Sequence, residues 1–445
     1  LVLLFSIDWN NWEDNIAIKN SVKNIFLISF LLFPSLFAQP SRREELPVVQ
    51  SLFHSETITI PAENKKLNLF YTYKIPYNRL VFERENGEYS AGLRVLVEVS
   101  DSSSGLIDRD IKDTELSVNN FEATNERGLF LQDFLKFNLS PGRYKIRTTI
   151  TDLNSQNELK LEPSEIDLTK DDEEIVLHPL VIESANDKCE IKNAFILANF
   201  GGAVPFSPKD YNLVIPLRDT TLENISVIIV NNEDTLVNQV ISEFYALPIG
   251  ISTCNTNLVL LPDDESISTN NFIIRNVNRK LLEGKVSLSI NFSDDGSKDF
   301  NSEVIWIDKP FSLSNPAMAI EYLNFITPDS IVYRLLSADK SQYPKVLYEY
   351  WSSFDPTPES SFNQLMTEYY RRIDYAAREF RGLGRDNGIK TDRGMVYIRF
   401  GKPDEVERSS NTQGQVVETW TYKNPERKFV FVDKRGIGNF TLIEN

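Results

Sequence analysis

The feature that most limits this fold is an alternation of apolar and polar residues at period two. It persists through roughly the first three hundred residues and then stops. In "GLRVLVEV", Leu93, Val95, Val97 and Val99 share one face; in "RYKIRTTI", Tyr144, Ile146, Thr148 and Ile150 oppose Lys145, Arg147 and Thr149. "KVSLSINF" sets Val286, Leu288, Ile290 and Phe292 against Ser287, Ser289 and Asn291, and "ISVIIVNNEDTLVNQVI" reads as a hairpin turning through Asn231 to Asp234. Strands with one wet face, separated by turn signals such as Ser140-Pro141-Gly142, specify antiparallel sandwiches. Two Ig-like β-sandwich domains are expected, at residues 41–170 and 171–312, with the charged run "TKDDEE" (169–174) between them.

At Asn315 the period becomes helical. Asn315-Pro316 is an N-cap followed by proline at the first helical position. Ala319, Tyr322, Leu323 and Ile326 form one stripe, and Tyr343, Leu347, Tyr350, Trp351 and Phe354 a second. The third comprises Phe362, Leu365, Met366, Tyr369, Ile373, Ala377 and Phe380, with Glu368–Arg372 and Asp374–Arg378 as i,i+4 pairs on its outer face and Gly382 and Gly384 ending it. Beyond a helical segment at 313–388, residues 389–445 return to strands, expected at 394–400, 416–422, 428–433 and 438–443. The expected fold is therefore multidomain and mainly β: two antiparallel sandwiches, a helical segment and a small C-terminal antiparallel sheet.

Residues 1–38 read as an export region. "VKNIFLISFLLFPSLFAQP" has a lysine, an apolar run from Ile25 to Phe37 and a small-residue site at Ala38/Gln39, as a signal peptide requires. Translation is expected to start at Val22, since the residues before it carry acids where positive charge belongs. No later run is long enough to span a bilayer as a helix. The mature chain is expected to be exported: periplasmic, associated with the outer membrane, or secreted. A net charge of -17 argues against nucleic acid or an anionic lipid surface as the main partner. Cys189 and Cys254 fall in one expected domain, where an oxidising compartment would let them pair; two separate buried thiols fit the sequence equally well.

Catalytic patterns are sparse. The two histidines, His54 and His178, lie in different expected domains without metal spacing, and no HExxH, CxxC or GxSxG occurs. No metal site and no cofactor is expected. "FGGAVPF" (200–206) has the glycines of a phosphate loop without its lysine, so it reads as a turn. The acidic runs Asp171 to Glu174, Asp263 to Glu265 and "DDGSKD" (294–299) sit where strand pairs must turn and read as solvated hairpin ends.

One charged stretch stands out: "DNGIKTDRGMVYIRFGKPDEVE", residues 386–407. As an enzyme site, Asp392 would be a base, Arg393 an anion clamp and Asp404 or Glu405 the second carboxylate. An intervening strand would hold those carboxylates roughly 20 Å apart, at about 3.3 Å per residue, too far to share a bond. As structure, Thr391 and Asp392 cap turn N–H groups, Arg393 pairs locally, and Pro403 ends the strand before an acidic helical turn begun by Asp404. The structural reading is the stronger by about three to one.

This stretch, with "WSSFDPTPESSFNQ", "EYYRRIDYAAREF", "ETWTY" and "FVFVD", resembles the GWxTD-domain family of bacterial exported proteins over residues 345–445. The naming motif is Gly388-Ile389-Lys390-Thr391-Asp392, with isoleucine where the family has tryptophan. The resemblance implies a cell-envelope protein and no defined reaction. Three functions fit. The first is a non-enzymatic interaction protein whose GWxTD module docks a protein partner through Thr391, Asp392, Arg393, Trp420, Tyr422, Tyr370 and Arg371, with Gly388, Gly401, Pro403 and Asp404 completing the motif. The second is an envelope-polymer hydrolase in which Asp392 meets Glu379 or Asp374. The third is a sandwich that binds glycan through exposed aromatic residues.

Overall fold

The computed structural model describes residues 53–444 except 104, 127, 170–173, 185–188, 294–295 and 383–386. The signal region, most of the "TKDDEE" run, Asp294, Asp295 and Gly384 lie outside the described residues. Contact density divides the chain into a β unit, residues 53–308 with Glu359–Phe362, and a second unit formed by Lys309–Pro358 and 363–444.

The β unit contains two sandwiches. In the first, β1 (His54–Pro61), β2 (Leu67–Pro76) and β6 (Phe130–Leu139) form one sheet. The facing sheet is built on β4 (Glu88–Asp101), which pairs with β3 (Glu83–Glu85), β5 (Leu106–Val118) and β7 (Arg143–Asp152); β7 adds β8 (Glu158–Lys160) and β9 (Ser164–Asp167). The alternating residues meet as expected: Leu93, Val95, Val97, Val99, Ile146 and Ile150 pack with Leu69, Tyr71, Tyr73, Leu135 and Phe137 in one core.

In the second sandwich a six-stranded sheet runs β10 (Leu180–Glu183), β13 (Tyr211–Leu217), β18 (Ser268–Ile274), β16 (Phe244–Cys254), β17 (Asn257–Pro262), β11 (Phe195–Ile196). The other sheet runs β12 (Val204–Pro205), β20 (Ser297–Ile305), β19 (Gly284–Asn291), β14 (Ile225–Asn231), β15 (Asp234–Ile241). The β14–β15 hairpin turns where the sequence placed it, with Asn232 and Glu233 at positive φ. Cys189 and Cys254 form a disulfide, their Cα atoms 5.8 Å apart.

Sequence periodicity did not reveal that the sandwiches share a core. All but the last residue of β2 is buried, and so is every residue of β13. One face of the β1–β2–β6 sheet belongs to its own sandwich. The other presents Ile58, Ile60 and Phe70 to Leu180, Ile182, Val214, Ile249, Ile251, Leu258, Leu260 and Ile273 of the second. A strand covered on both faces loses the polar half of its alternation, and "LNLFYTYKIP" has lost most of it.

The second unit begins with α1 (Pro316–Tyr322), capped by Asn315, whose side chain accepts from Met318 N at 3.2 Å. Helices α2 (Asp329–Leu336), α3 (Tyr343–Ser352) and α4 (Gln364–Glu379) follow. Two expectations on α4 are corrected. Tyr370, expected off the apolar stripe, is fully buried and donates to the Ala319 carbonyl at 2.8 Å. Arg372, expected on the outer face, is also buried.

The segment expected as a strand at 394–400 is instead helix α5 (Asp392–Phe400). Thr391 is its N-cap, accepting from Gly394 N at 3.0 Å, and that bond starts a helix where alternation alone had suggested a strand. The acidic turn expected after Pro403 is strand β21 (Glu405–Ser410), which pairs with β22 (Val416–Lys423). Then come β23 (Glu426–Asp433) and β24 (Phe440–Glu444), completing a four-stranded antiparallel sheet in the order β21–β22–β23–β24.

Candidate functional site

The motif lies where the start of α5 meets α4 and the C-terminal sheet. Gly388 opens a short 3-10 turn, Gly388–Lys390, where a Cβ would stand 2.1 Å from the Ala376 carbonyl oxygen. Gly394 is as tightly held: its Cβ would stand 2.1 Å from the Gly388 oxygen. Only glycine lets these two backbones approach so closely. Thr391 closes the turn by donating to Gly388 O at 2.7 Å while capping α5. Ile389, where the family has tryptophan, is 1% exposed.

Asp392 is half-buried, and its Oδ2 accepts from Leu442 N at 2.8 Å, pinning strand β24 to the head of α5. Arg393 turns inward. Its guanidinium pairs with Glu418 at 3.4 Å, reaches Gly438 O at 3.5 Å and lies 4.0 Å from the Phe440 ring centroid and 5.2 Å from that of Phe380. Burial lowers its pKa, and the neighbouring Glu418 charge opposes that shift. Glu418 is the hub: Oε1 also accepts Trp420 Nε1 at 2.8 Å, and Oε2 accepts Arg408 Nε at 2.8 Å.

A second cluster surrounds Gly401, whose φ of 77° ends α5. Tyr422 Oη donates to Gly401 O at 2.9 Å, and burial raises the Tyr422 pKa well above its ordinary value. The buried Arg372 pairs with Glu368 at 2.7 Å and donates to Arg399 O at 3.2 Å, satisfying a carbonyl in the last turn of α5. Pro403 is half-buried, and Asp404 accepts from Lys423 N at 2.7 Å.

The proposed docking residues therefore divide. Thr391, Arg393, Trp420, Tyr422 and Tyr370 are buried and offer no surface to a partner in this fold, whereas Arg371 and Asp404 are exposed. The carboxylates invoked for a hydrolase are engaged separately. Asp392 holds Leu442, Asp374 accepts from the N–H groups of Phe311 and Ser312, and Glu379 pairs with Arg378. Glu418 and Asp433 were missed as site residues. The Asp433 carboxylate gathers N–H groups of Arg435, Ile437 and Gly438, lowering its pKa against burial, and the "DKRGIG" turn was the available signal. Among the described residues no cluster of three or more metal-ligating side chains occurs, and no helix is long and apolar enough to cross a membrane.

Fold and motif together define a β-sandwich protein with a compact α+β unit whose signature residues form an internal brace. Residues 291–443 match the model of the GWxTD domain, so the C-terminal region of the chain carries a GWxTD domain. The match begins inside β19, well before the 345 expected from the motifs. No curated protein matches the chain. Among solved structures, the BSP domain of a biofilm-associated protein is similar at 8% identity, covering 58% of this chain and 52% of its own, with a TM-score of 0.15. This chain thus spans about half the length of that structure. A two-domain fibronectin type-III segment from chicken tenascin aligns at 10% identity, 57% and 98% coverage and a TM-score of 0.12. Domains 5–6 of the S-layer protein SbsC align at 15%, 57% and 99%, with a TM-score of 0.15.

Proposed function

We propose that this chain is an exported, non-enzymatic scaffold of the cell envelope whose GWxTD unit meets a protein partner. The observation that carries the reading is how the motif's polar groups are used. Thr391 caps α5, Asp392 holds β24, and Arg393 and Glu418 satisfy each other inside the unit. A site built for chemistry keeps a nucleophile or base open to substrate; here these groups are committed to the fold. The disulfide supports an oxidising compartment, and the shared core of the two sandwiches supports a rigid carrier.

The surface left for a partner consists of exposed side chains on the helices, among them Tyr333 at 71%, Tyr348 and Tyr375, together with Arg371. Tyrosine and arginine are favoured at protein contacts. The test places a photo-crosslinking residue at Tyr333, Tyr348 or Tyr375, and at Val240 on β15 as a comparison site, in native envelopes. A discrete adduct from the helical positions and none from Val240 is expected. Adducts from Val240 alone would move the function to the sandwiches. Polymer hydrolysis lost in a folded Asp392→Asn variant would overturn the reading.

A further inference from the structure

The first sandwich leaves one long strand paired on a single side. Strand β5 has 13 residues and pairs with β4 along one edge; among the described residues no strand pairs with the other. Its first half is exposed throughout, with Leu106 at 59%, Ile107 at 51% and Ile111 at 47%. An open edge of this length is a template for another strand.

Which backbone groups that edge offers follows from register. Gly92 O accepts from Leu153 N on the β7 side, so the even-numbered residues of β4 face β7, and Leu93, Val95 and Val97 face β5. Those three stand opposite Thr114, Lys112 and Asp110. The even-numbered residues of β5 therefore direct N–H and C=O at β4, and Arg109, Ile111 and Asp113 direct theirs outward. Two local bonds agree: Arg109 N–H donates to Asp108 Oδ1 at 2.7 Å and Ile111 N–H to Asp110 Oδ1 at 2.8 Å.

The side chains select the occupant. Laid antiparallel against a second β5 with Ile111 opposite Ile111, the strand sets Arg109 against Asp113 and Asp110 against Lys112. Moving the centre by one residue brings Asp110 onto Asp110 or Lys112 onto Lys112, and like charges directly opposite destabilise a ladder. In the favourable register the outward groups of Arg109, Ile111 and Asp113 meet as hydrogen-bonded pairs, about six bonds between the copies. Ile111 lies beside Leu96 of β4, so the two copies form one apolar strip across the axis. We propose that two copies of this chain dimerise through β5, continuing the β7–β4–β5 sheet of one copy into the other about a two-fold axis at Ile111. Asp110 then leaves its local N–H for the partner's Lys112. Asp113 holds Arg94 through both oxygens, at 2.7 and 2.6 Å, and each oxygen keeps a lone pair for the partner's Arg109.

Sedimentation velocity of the purified full chain over a concentration series reads the association. A monomer–dimer equilibrium is expected, and a monomer throughout would overturn the proposal. Ile111→Pro removes an outward N–H and leaves the β4 ladder intact. It should raise the dissociation constant by about 25-fold, each copy losing one ladder bond worth roughly fivefold. An equally tight dimer in that variant, with an unchanged circular dichroism spectrum, would place the contact on another surface. Oxidative crosslinking reads the register. Ile111→Cys should link two copies, because a hydrogen-bonded pair holds its Cα atoms about 5.5 Å apart, within disulfide reach. Arg109→Cys should not, because the two copies of residue 109 lie about 14 Å apart at roughly 3.3 Å per residue. Equal yields from both variants would refute the register. A photo-crosslinker at 111 that captures a different protein in native envelopes, with no self-adduct, would assign the edge to a foreign strand and overturn the dimer.

Discussion

Replacing Glu418 with alanine tests the internal brace directly. Three donors converge on this carboxylate, and they are not equivalent. Arg408 is 71% exposed, so its pair is screened and contributes at most about 1 kcal/mol. The Arg393 side chain is only 11% exposed, and stranding a buried charge costs about 3–5 kcal/mol. The Trp420 N–H, left without an acceptor, adds about 1–3 kcal/mol before relaxation. These terms share one site and do not sum, so a net loss of about 4 kcal/mol is expected, close to three powers of ten in the local opening equilibrium. Hydrogen exchange of the β22–β23 amides reads that opening inside the full chain. Glu418→Gln, which keeps an acceptor for Trp420, should lose less. The double variant Arg393→Met/Glu418→Leu should recover much of the loss, because replacing both charges removes the stranded ion. A loss below about 1 kcal/mol in Glu418→Ala would show that Arg393 finds other partners and that the brace is not what holds the sheet to α5.

Gly394→Ala places a methyl 2.1 Å from the Gly388 oxygen and should cost about 1–3 kcal/mol by the same exchange measurement; an unchanged value would refute the close approach. The Glu56 carboxyl has a folded pKa below its ordinary 4.5: burial raises it, but the hydrogen bond and charge of His178 and the Asn199 amide outweigh burial. Its stabilisation should be fully present above the unfolded value and lost as pH falls through the lowered folded value. Glu56→Gln should therefore flatten acid-side thermal unfolding curves, and parallel curves would count against it. Reducing the Cys189–Cys254 bridge, which closes a span of 65 residues, should cost about 4 kcal/mol in urea unfolding of the β unit, with no effect on exchange at β22–β23.

The sandwiches were legible because solvent on one side of a strand writes itself into the sequence as alternation. Val95, Val97 and Val99 show no exposure, while Arg94 and Glu98 on the other face reach water. The stacking of the two sandwiches was harder to read, because β2 is covered on both sides and its pattern holds no clean phase. Helix α5 misled for a related reason. "MVYIRF" is β-branched and aromatic, a composition that favours strands, but Thr391 nucleates a helix and Val396 and Ile398 both find cover across its short length. Trp420 and Tyr422 were correctly placed on a strand but assigned to a surface, because an aromatic with a polar atom suits an interface or a core equally well. The acceptors decided it: Glu418 for one and Gly401 O for the other.

Those acceptors also explain why charged residues crowd this stretch. The GWxTD unit fastens a nine-residue helix to a four-stranded sheet partly through aromatic contacts such as Phe400–Phe429 and Phe400–Tyr422, which are non-directional, so hydrophobic burial alone gives limited specificity of alignment. Directional contacts supply it. Asp392 reads the height of β24 through a single backbone N–H, Arg393 reaches Glu418 on β22 and the Gly438 carbonyl before β24, and Tyr422 fixes the far end of α5 through Gly401. Sliding β24 by one residue would place a different N–H at Asp392 and turn Leu442 to the opposite face. The motif thus sets register. On that account Asp392→Asn, which preserves an acceptor oxygen, should keep β24 protected against exchange, whereas Asp392→Ala should let it fray while β22 and β23 stay closed. Equal protection of β24 in both variants would show that register is set elsewhere.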